Sequence, residues 1–207
     1  MTEQTTVPNH HADYPGFSGV SGLRAALSML TKGDDDARLV ARLGGVGPGD
    51  SVVDIGCGPG AAARHAAGLG ASVTAVDPAR VMLRVARLLT SLSRSRSRVR
   101  YVEGIAEALP VEGDFASVVW SIASVHHWRD IAAGVREARR VLRSRGRFVA
   151  MERHTVPGAH GLAGHGWTRA QAEAFAECCR AHGFGDVRVE ENTIGRRSTV
   201  SVVATAP

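Results

Sequence analysis

The stretch VVDIGCGPG, residues 52–60, runs an apolar segment through an acid into three glycines at alternate positions. A short apolar run of this kind predicts a buried β-strand, which we expect to end at Ile55. The glycines predict a tight turn at which a ligand can approach the main chain. A helical pattern over residues 60–70 follows at once. The stretch therefore predicts a strand, a ligand-binding turn and a helix that offers free N–H groups at its start.

The rest of the chain alternates between strand and helix patterns. Strands are predicted over residues 51–55, 71–76, 98–103, 114–121, 146–152, 186–192 and 198–205. Further helices are predicted over 22–30, 34–43, 78–92 and 129–142, and after the capping pair Thr168 and Gln171. Pro78 suits the first turn of its helix. This order predicts an α/β fold: a doubly wound, mostly parallel seven-stranded sheet with an antiparallel edge hairpin and helices on both faces.

Composition and charge exclude several classes of protein. Hydrophobic residues make up 44% of the 207 residues and charged residues 22%, which is typical of a globular domain. No apolar run is long enough to span a bilayer, so we expect no membrane association, and the start lacks a secretory pattern. The cysteines Cys57, Cys178 and Cys179 form no disulfide framework, which predicts a cytoplasmic protein. The net charge of +5 comes from dispersed arginines, so no nucleic-acid partner is expected.

Two classes of ligand use a glycine turn of this kind. A nicotinamide dinucleotide places its pyrophosphate on the helix start and requires the spacing G-x-G-x-x-G. Here Gly56, Gly58 and Gly60 are spaced one residue too closely, and Asp54 would meet the phosphates with like charge. The turn therefore favours a ligand that is neutral or cationic at Asp54, although a buried strand-end acid with local partners is the alternative for this residue.

A second acid, Asp77, ends the next predicted strand about 20 residues beyond the first glycine. An acid at this place can accept hydrogen bonds from both ribose hydroxyls of an adenosyl group. The alternative is a helix N-cap, since Pro78 opens a helix. Both functions are compatible because a carboxylate has two oxygens.

In the order and spacing of its motifs, the chain resembles the class I S-adenosylmethionine-dependent methyltransferases over roughly residues 38–205. The motifs are VVDIGCGPG, VTAVDPA, GIAEALP, SVVWSIASVHHW and EARRVLRSRGRFVAMERH. The resemblance is to the small-molecule branch that includes quinone-biosynthesis C-methyltransferases. It implies S-adenosyl-L-methionine as cofactor and a small-molecule acceptor. It also implies that residues 1–43 form an N-terminal segment with helices that cover the site, and that residues 44–207 form the methyltransferase domain.

The resemblance also implies which residues contact the cofactor. These are Asp54, Gly56, Cys57, Gly58, Gly60, Asp77, Pro78, Ile105, Ala106, Glu107 and Ser121. Asp54 would lie near the amino group of the methionine part, and Asp77 would hold the ribose. Relatives often carry Asp where this chain has Ile105, so the adenine is expected to meet an apolar wall there.

Histidines near the predicted strand ends are the candidates for catalysis. His126 and His127 follow the fourth strand and are the predicted catalytic residues, as a general base for the acceptor. The alternatives are a helix-start pair with solvent or backbone partners, and catalysis by positioning alone. Glu152 and His154, at the end of the fifth strand, come next.

No metal site is predicted from the sequence. A zinc site built from His154, His160, His165 and the pair Cys178 and Cys179 would have no recognised ligand spacing. His160 and His165 suit a glycine-rich lid instead, and Tyr14 and Phe17 either fold over the cofactor or anchor the N-terminus.

We therefore expect a cytoplasmic methyltransferase, monomeric or homodimeric, that methylates a small molecule. A nicotinamide-dependent oxidoreductase and a non-catalytic S-adenosylmethionine-binding protein are the alternatives. The identity of the acceptor cannot be read from the sequence.

Overall fold

The computed structural model describes residues 8–9, 33–93, 96–159, 164–195 and 197–207. The helix predicted over 22–30 and the residues Tyr14, Phe17 and His160 lie outside this part of the chain. The described elements, in chain order, are α1 Gly33–Leu43, β1 Ser51–Ile55, α2 Ala61–Gly68, β2 Ser72–Asp77, α3 Arg80–Ser91, β3 Val99–Glu103, β4 Ala116–Ile122, α4 Ile131–Val141, β5 Leu142–Arg153, α5 Arg169–Ala181, β6 Gly185–Ile194 and β7 Arg197–Thr205.

The predicted fold class is confirmed by the sheet, which has seven strands in the order β3-β2-β1-β4-β5-β7-β6. Neighbouring strands from β3 to β5 are parallel, and β7 runs antiparallel to both β5 and β6. The last strand of the chain therefore lies inside the sheet, and β6 forms the edge. Strand β7 gains a hydrogen-bonded neighbour on each side in this position.

Helices cover both faces of the sheet. On one face, α1, α2 and α3 pack over Val52, Val118 and Trp120. On the other face, α4 and α5 pack over Val53, Ile55 and Val119. Alternating side chains of each strand thus contribute to separate cores, as the two-residue period of a β-strand requires.

Local sequence signals fix most helix starts, with one difference from expectation. Thr168 and Gln171 form the predicted capping box of α5, and the Asp130 side chain caps α4. Helix α3 begins at Arg80 with Ala79 as its N-cap, so Pro78 lies just outside the first turn. The carboxylate of Asp77 accepts a hydrogen bond from the Ala79 N–H. This bond fixes Ala79 as the N-cap, so the helix begins after Pro78 rather than at it.

The order of the strands reverses between β1 and β4, which connect outward to β2 and β5. In a doubly wound sheet the carboxyl ends of the strands at such a point border the ligand crevice. The glycine turn follows β1, and the segment with His126 and His127 follows β4. None of the helices that the structure describes has the length and apolar character needed to cross a bilayer.

Candidate active site

The glycine turn is tied to the end of β2. The N–H groups of Gly56 and Cys57 donate to the carbonyl oxygen of Val76 over 2.8 and 3.1 Å. Gly56 and Gly60 adopt φ angles of 71° and 77°, which favour glycine. A Cβ on Gly56 would overlap the Ser124 side chain, and one on Gly60 would overlap Tyr101. These two glycines are thus required by packing within the protein, beyond any approach of a ligand.

Asp77 links this turn to the following helix. Its Oδ2 accepts from the N–H of Gly58 and its Oδ1 from the N–H of Ala79, both over 2.8 Å. Burial raises the pKa of the Asp77 carboxyl, and the two backbone hydrogen bonds oppose that rise. Each oxygen retains acceptor capacity for a ligand hydroxyl, because a carboxylate oxygen has two lone-pair sites. Asp77 can therefore support the start of α3 and still accept hydrogen bonds from a ribose.

Asp54 lies one residue before the end of β1 and is 2% exposed. Burial raises its pKa to about 7, and the nearby Trp120 indole N–H opposes this. Among the described residues, neither Asp54 Oδ2 nor Trp120 Nε1 has a hydrogen-bond partner. The Trp120 indole and the Ala63 backbone lie near this carboxyl, so the alternative of a strand-end acid with local partners stays open. A buried acceptor without a partner is costly, and a cationic ligand group would offset that cost.

The three predicted cofactor residues after β3 have different environments. Ile105 is 46% exposed, which suits an apolar wall of a crevice, whereas Ala106 is buried. Glu107 Oε1 accepts from the N–H groups of Arg129 and Asp130 over 2.6 and 3.2 Å. Glu107 thus ties the loop after β3 to the start of α4.

The remaining predicted cofactor residues contribute less direct contacts. The Cys57 side chain is buried in the core beneath α2, and burial raises the pKa of its thiol, so this residue offers a ligand only its backbone. Ser121 is fully buried, and its Oγ has no hydrogen-bond partner among the described residues. It points to the face opposite Asp54, because the two residues lie in paired strands one register step apart. Pro78 is exposed.

The structure gives His126 a buried carboxylate partner that the sequence did not reveal. His126 Nδ1 lies 2.9 Å from Glu152 Oε2, with the two side chains 3% and 0% exposed. The His126 N–H also donates to Glu152 Oε1 over 3.4 Å. The alternative of a solvent- or backbone-bound helix-start pair is therefore wrong for His126. His127 is half-buried, and its N–H donates to the Ser124 carbonyl oxygen over 3.0 Å.

His165 joins these two histidines, whereas the other described members considered for a zinc site, His154, Cys178 and Cys179, do not. Within the described part of the chain, the one group of His, Cys, Asp or Glu side chains close enough to hold a metal ion is His126, His127 and His165. Cys178 Sγ lies 3.6 Å from His182 Nδ1, and Cys179 is buried in the core. The ends of β4 and β5 are adjacent in the sheet. A histidine shortly after β5 could therefore have been expected near His126 and His127, and His165 is such a residue.

Two residues near the start of the chain contact the same end of the sheet. The indole N–H of Trp167 donates to the Pro8 carbonyl oxygen over 2.8 Å, and the Asn9 side chain donates to the Trp128 carbonyl oxygen over 3.0 Å. Trp167 and Trp128 flank the segments that carry His165 and His127. Residues 8–9 therefore lie against the histidine side of the crevice.

Comparisons with known proteins agree with this geometry. Residues 53–150 match the family model described as a methyltransferase domain. Over 156 residues the chain is 34% identical to the 27-O-demethylrifamycin SV methyltransferase of Amycolatopsis mediterranei (strain S699), covering 73% of this chain and 54% of that protein. Over 118 residues it is 36% identical to the ubiquinone biosynthesis O-methyltransferase of Xanthomonas campestris pv. campestris (strain B100), covering 56% of this chain and 48% of that protein.

The fold comparison extends over nearly the whole chain. A crystal structure of a putative S-adenosyl-L-methionine-dependent methyltransferase from Methanococcus maripaludis superposes with a TM-score of 0.74 at 18% identity, covering 93% of this chain and 94% of that one. This likeness concerns the fold. The chain spans about half the length of the curated relatives named above. Residues 53–150 therefore belong to the methyltransferase domain family.

Proposed function

We propose that the protein transfers a methyl group from S-adenosyl-L-methionine to a small-molecule acceptor. The observation that carries this proposal is the pair of buried carboxylates, Asp54 and Asp77, at the carboxyl ends of β1 and β2. Asp77 is oriented by the Gly58 and Ala79 N–H groups, so its free lone pairs are held in place for the ribose hydroxyls. The sulfur-bound methyl of the cofactor supplies an electrophilic carbon, so the chain itself needs chiefly to position donor and acceptor.

The residues at the turn fit this cofactor in charge as well as in shape. Asp54 Oδ2 lacks a hydrogen-bond partner among the described residues, and an ammonium group would supply one. The exposed face of Ile105 offers an apolar surface to an adenine ring. A dinucleotide pyrophosphate would instead bring negative charge toward a group that is already costly to ionise.

The histidines are assigned to the acceptor side of the crevice. Gly56 packs against Ser124, and His126 and His127 are two and three residues beyond Ser124, so their backbone lies close to the glycine turn. We infer that these two residues act on the acceptor, as a general base where no ion occupies their ring nitrogens. Residues 1–43 are proposed to cover the site. A reducing cytoplasmic location fits the three free thiols, and a monomer or homodimer is the expected assembly.

Isothermal titration calorimetry separates this proposal from the oxidoreductase. We expect S-adenosylhomocysteine to bind at one site per chain and NADH to give no binding heat. The opposite result would overturn the proposal. Because the cofactor product is used as the ligand, this measurement requires no knowledge of the acceptor.

Turnover separates an enzyme from a non-catalytic binding protein. The protein is incubated with methyl-tritiated S-adenosylmethionine and a fractionated metabolite extract, and label in small-molecule fractions is counted. Transfer is expected to disappear with Asp77→Ala. Tight cofactor binding with no transfer to any fraction would favour the non-catalytic alternative.

A further inference from the structure

Three histidines from two separate segments meet beside the crevice; we call His126, His127 and His165 the histidine cluster. The ring centroids of His126 and His127 lie 4.1 Å apart, and those of His165 lie 5.5 and 5.8 Å from them. One ring nitrogen from each residue lies within 4.8 Å of the other two. Nitrogens that share a tetrahedral ion at about 2.0–2.1 Å lie roughly 3.3 Å apart. Small side-chain rotations would therefore bring all three into ligand positions.

Glu152 gives the cluster the outer partner that metal-binding histidines require. Ligating imidazoles almost always donate their second N–H to a carboxylate or carbonyl, which fixes the tautomer and the ring orientation. Glu152 Oε2 is 2.9 Å from His126 Nδ1, and its other oxygen accepts from the His126 backbone N–H. A proton on Nδ1 leaves the lone pair of His126 on Nε2. The ring is thereby prepared to bind through Nε2.

The charge of Glu152 also favours a cation at this place. The Glu152 side chain is 0% exposed, and both of its oxygens lie within hydrogen-bond distance of His126 nitrogens. Burying a carboxylate is costly unless a positive group lies close to it, and a divalent ion on the neighbouring imidazoles would supply positive charge.

We propose that His126, His127 and His165 bind one divalent transition-metal ion of the zinc type, with Glu152 as the residue that positions His126. Three imidazoles favour ions such as Zn²⁺ over Mg²⁺ or Ca²⁺, which prefer oxygen ligands. Three protein ligands also leave a fourth position open, as in catalytic rather than structural zinc sites.

The function of this ion rests on the proposed methyl transfer. Because the cluster follows Ser124, which packs on the glycine turn, an ion there lies on the acceptor side of the crevice. We assign its open position to an oxygen atom of the acceptor, which selects acceptors with a hydroxyl, enol or phenol group. The metal site itself is tested without this assumption.

The test measures metal binding by the full chain after treatment with a chelator. Zn²⁺ content is determined by elemental analysis after dialysis, and affinity by competition with a chromogenic chelator. Co²⁺ is added separately as a spectroscopic probe, because four-coordinate cobalt absorbs strongly in the visible range. We expect one ion per chain, a four-coordinate cobalt spectrum and at least a 100-fold loss of Zn²⁺ affinity in His165→Ala. His165 is half-buried and outside the helices and strands, so this variant tests binding rather than folding.

Two further variants sharpen the assignment. Glu152→Gln is expected to weaken Zn²⁺ binding by about 10–100-fold with unchanged stoichiometry, which is the usual effect of losing an outer partner. His154→Ala is the matched control, since His154 lies near the same strand end and outside the cluster. An unchanged affinity in His165→Ala, an equal loss in His154→Ala, a six-coordinate cobalt spectrum or the absence of bound metal would each overturn the proposal.

Calorimetry with S-adenosylhomocysteine on the metal-free and zinc-loaded protein separates the two proposals. Cofactor binding without zinc binding overturns the metal site and leaves the methyltransferase intact. Zinc binding without cofactor binding supports the metal site and counts against the proposed function.

Discussion

Asp77 illustrates how one side chain serves the fold and the site together. Its carboxylate receives N–H groups from the glycine turn and from the start of α3, so the strand end, turn and helix meet at one residue. A side chain without an acceptor oxygen, such as that of Ala, would leave the N–H groups of Gly58 and Ala79 without this partner. The acid is therefore expected to matter for affinity more than any other acid in the described part of the chain.

Substitution of Asp77 by Ala should weaken the binding of S-adenosylhomocysteine by roughly 1.5–3 kcal/mol, because buried hydroxyls lose their acceptor. Calorimetry measures this loss, and urea unfolding reports any change in stability. Glu103→Ala is the matched control, since Glu103 pairs with Asp77 in the sheet register but is exposed and bonded to Arg80. Equal affinities of the Asp77 and Glu103 variants would contradict the assignment.

Asp54 should make the stability of the cofactor-free protein depend on pH. Its folded-state pKa is about 7, whereas an unfolded Asp titrates near about 3.9. Between these values the folded state retains a proton that the unfolded chain releases. The contribution of this carboxyl is therefore complete below about pH 4 and is lost as the pH rises through about 7.

The comparison with Asp54→Asn isolates this effect, since an amide does not ionise. The wild type should lose up to a few kcal/mol of unfolding free energy relative to the variant between about pH 4 and 8. Urea unfolding of both proteins across this range measures the difference. Parallel pH profiles would contradict the raised pKa.

At the scale of elements, the glycine turn is a packing junction as well as a ligand loop. Gly56 touches Ser124 after β4, so the turn after β1 and the segment after β4 fit together only without a side chain at residue 56. Gly49, in the loop before β1, also has a positive φ, of 87°, but a Cβ there would meet no atom within 4 Å. The two glycines therefore share the backbone strain and differ in packing.

Gly56→Ala should thus be more destabilising than Gly49→Ala, by about 1–3 kcal/mol, through overpacking against Ser124. Chemical denaturation of the two variants measures the difference between their unfolding free energies. The strain of a left-handed backbone is common to both variants, so it cancels in this difference. Adding Ser124→Gly to Gly56→Ala should recover most of the loss. Equal stabilities of the two single variants would show that packing at the turn is unimportant.

At the scale of the whole molecule, cofactor binding and folding should be linked. The turn after β1, the acid ending β2 and the loop after β3 come from separate parts of the sheet, so only the folded chain presents them together. A ligand that binds only the folded state stabilises it by about 2.7 kcal/mol at a concentration of 100 Kd.

S-adenosylhomocysteine at that excess should therefore raise the unfolding free energy by about 2.7 kcal/mol at fixed protein concentration, as measured by urea unfolding. NADH at the same concentration should leave it unchanged. The Asp77→Ala variant should show a smaller shift in proportion to its weaker binding. Stabilisation by NADH alone would favour the oxidoreductase.

The sequence by itself determined most of the local elements, including those that carry the candidate cofactor residues. The glycine turn, the acids at the ends of β1 and β2 and the capping box of α5 are encoded within a few residues each, because turn conformation, strand period and capping are local properties. The alternation of strands and helices then limited the fold to a doubly wound sheet. Element bounds differed, as at Pro78, which lies outside its helix, and at Leu142, which begins β5 rather than ending a helix.

Only the tertiary structure determined which residues meet around the histidine cluster. His126 and Glu152 are separated by 26 residues and pair because β4 and β5 are neighbours in the sheet. His165 reaches the same point from the segment between β5 and α5, and β7 lies inside the sheet rather than at its edge. These contacts depend on which strands are adjacent and on how distant segments pack, and no local period or spacing in the chain carries that information.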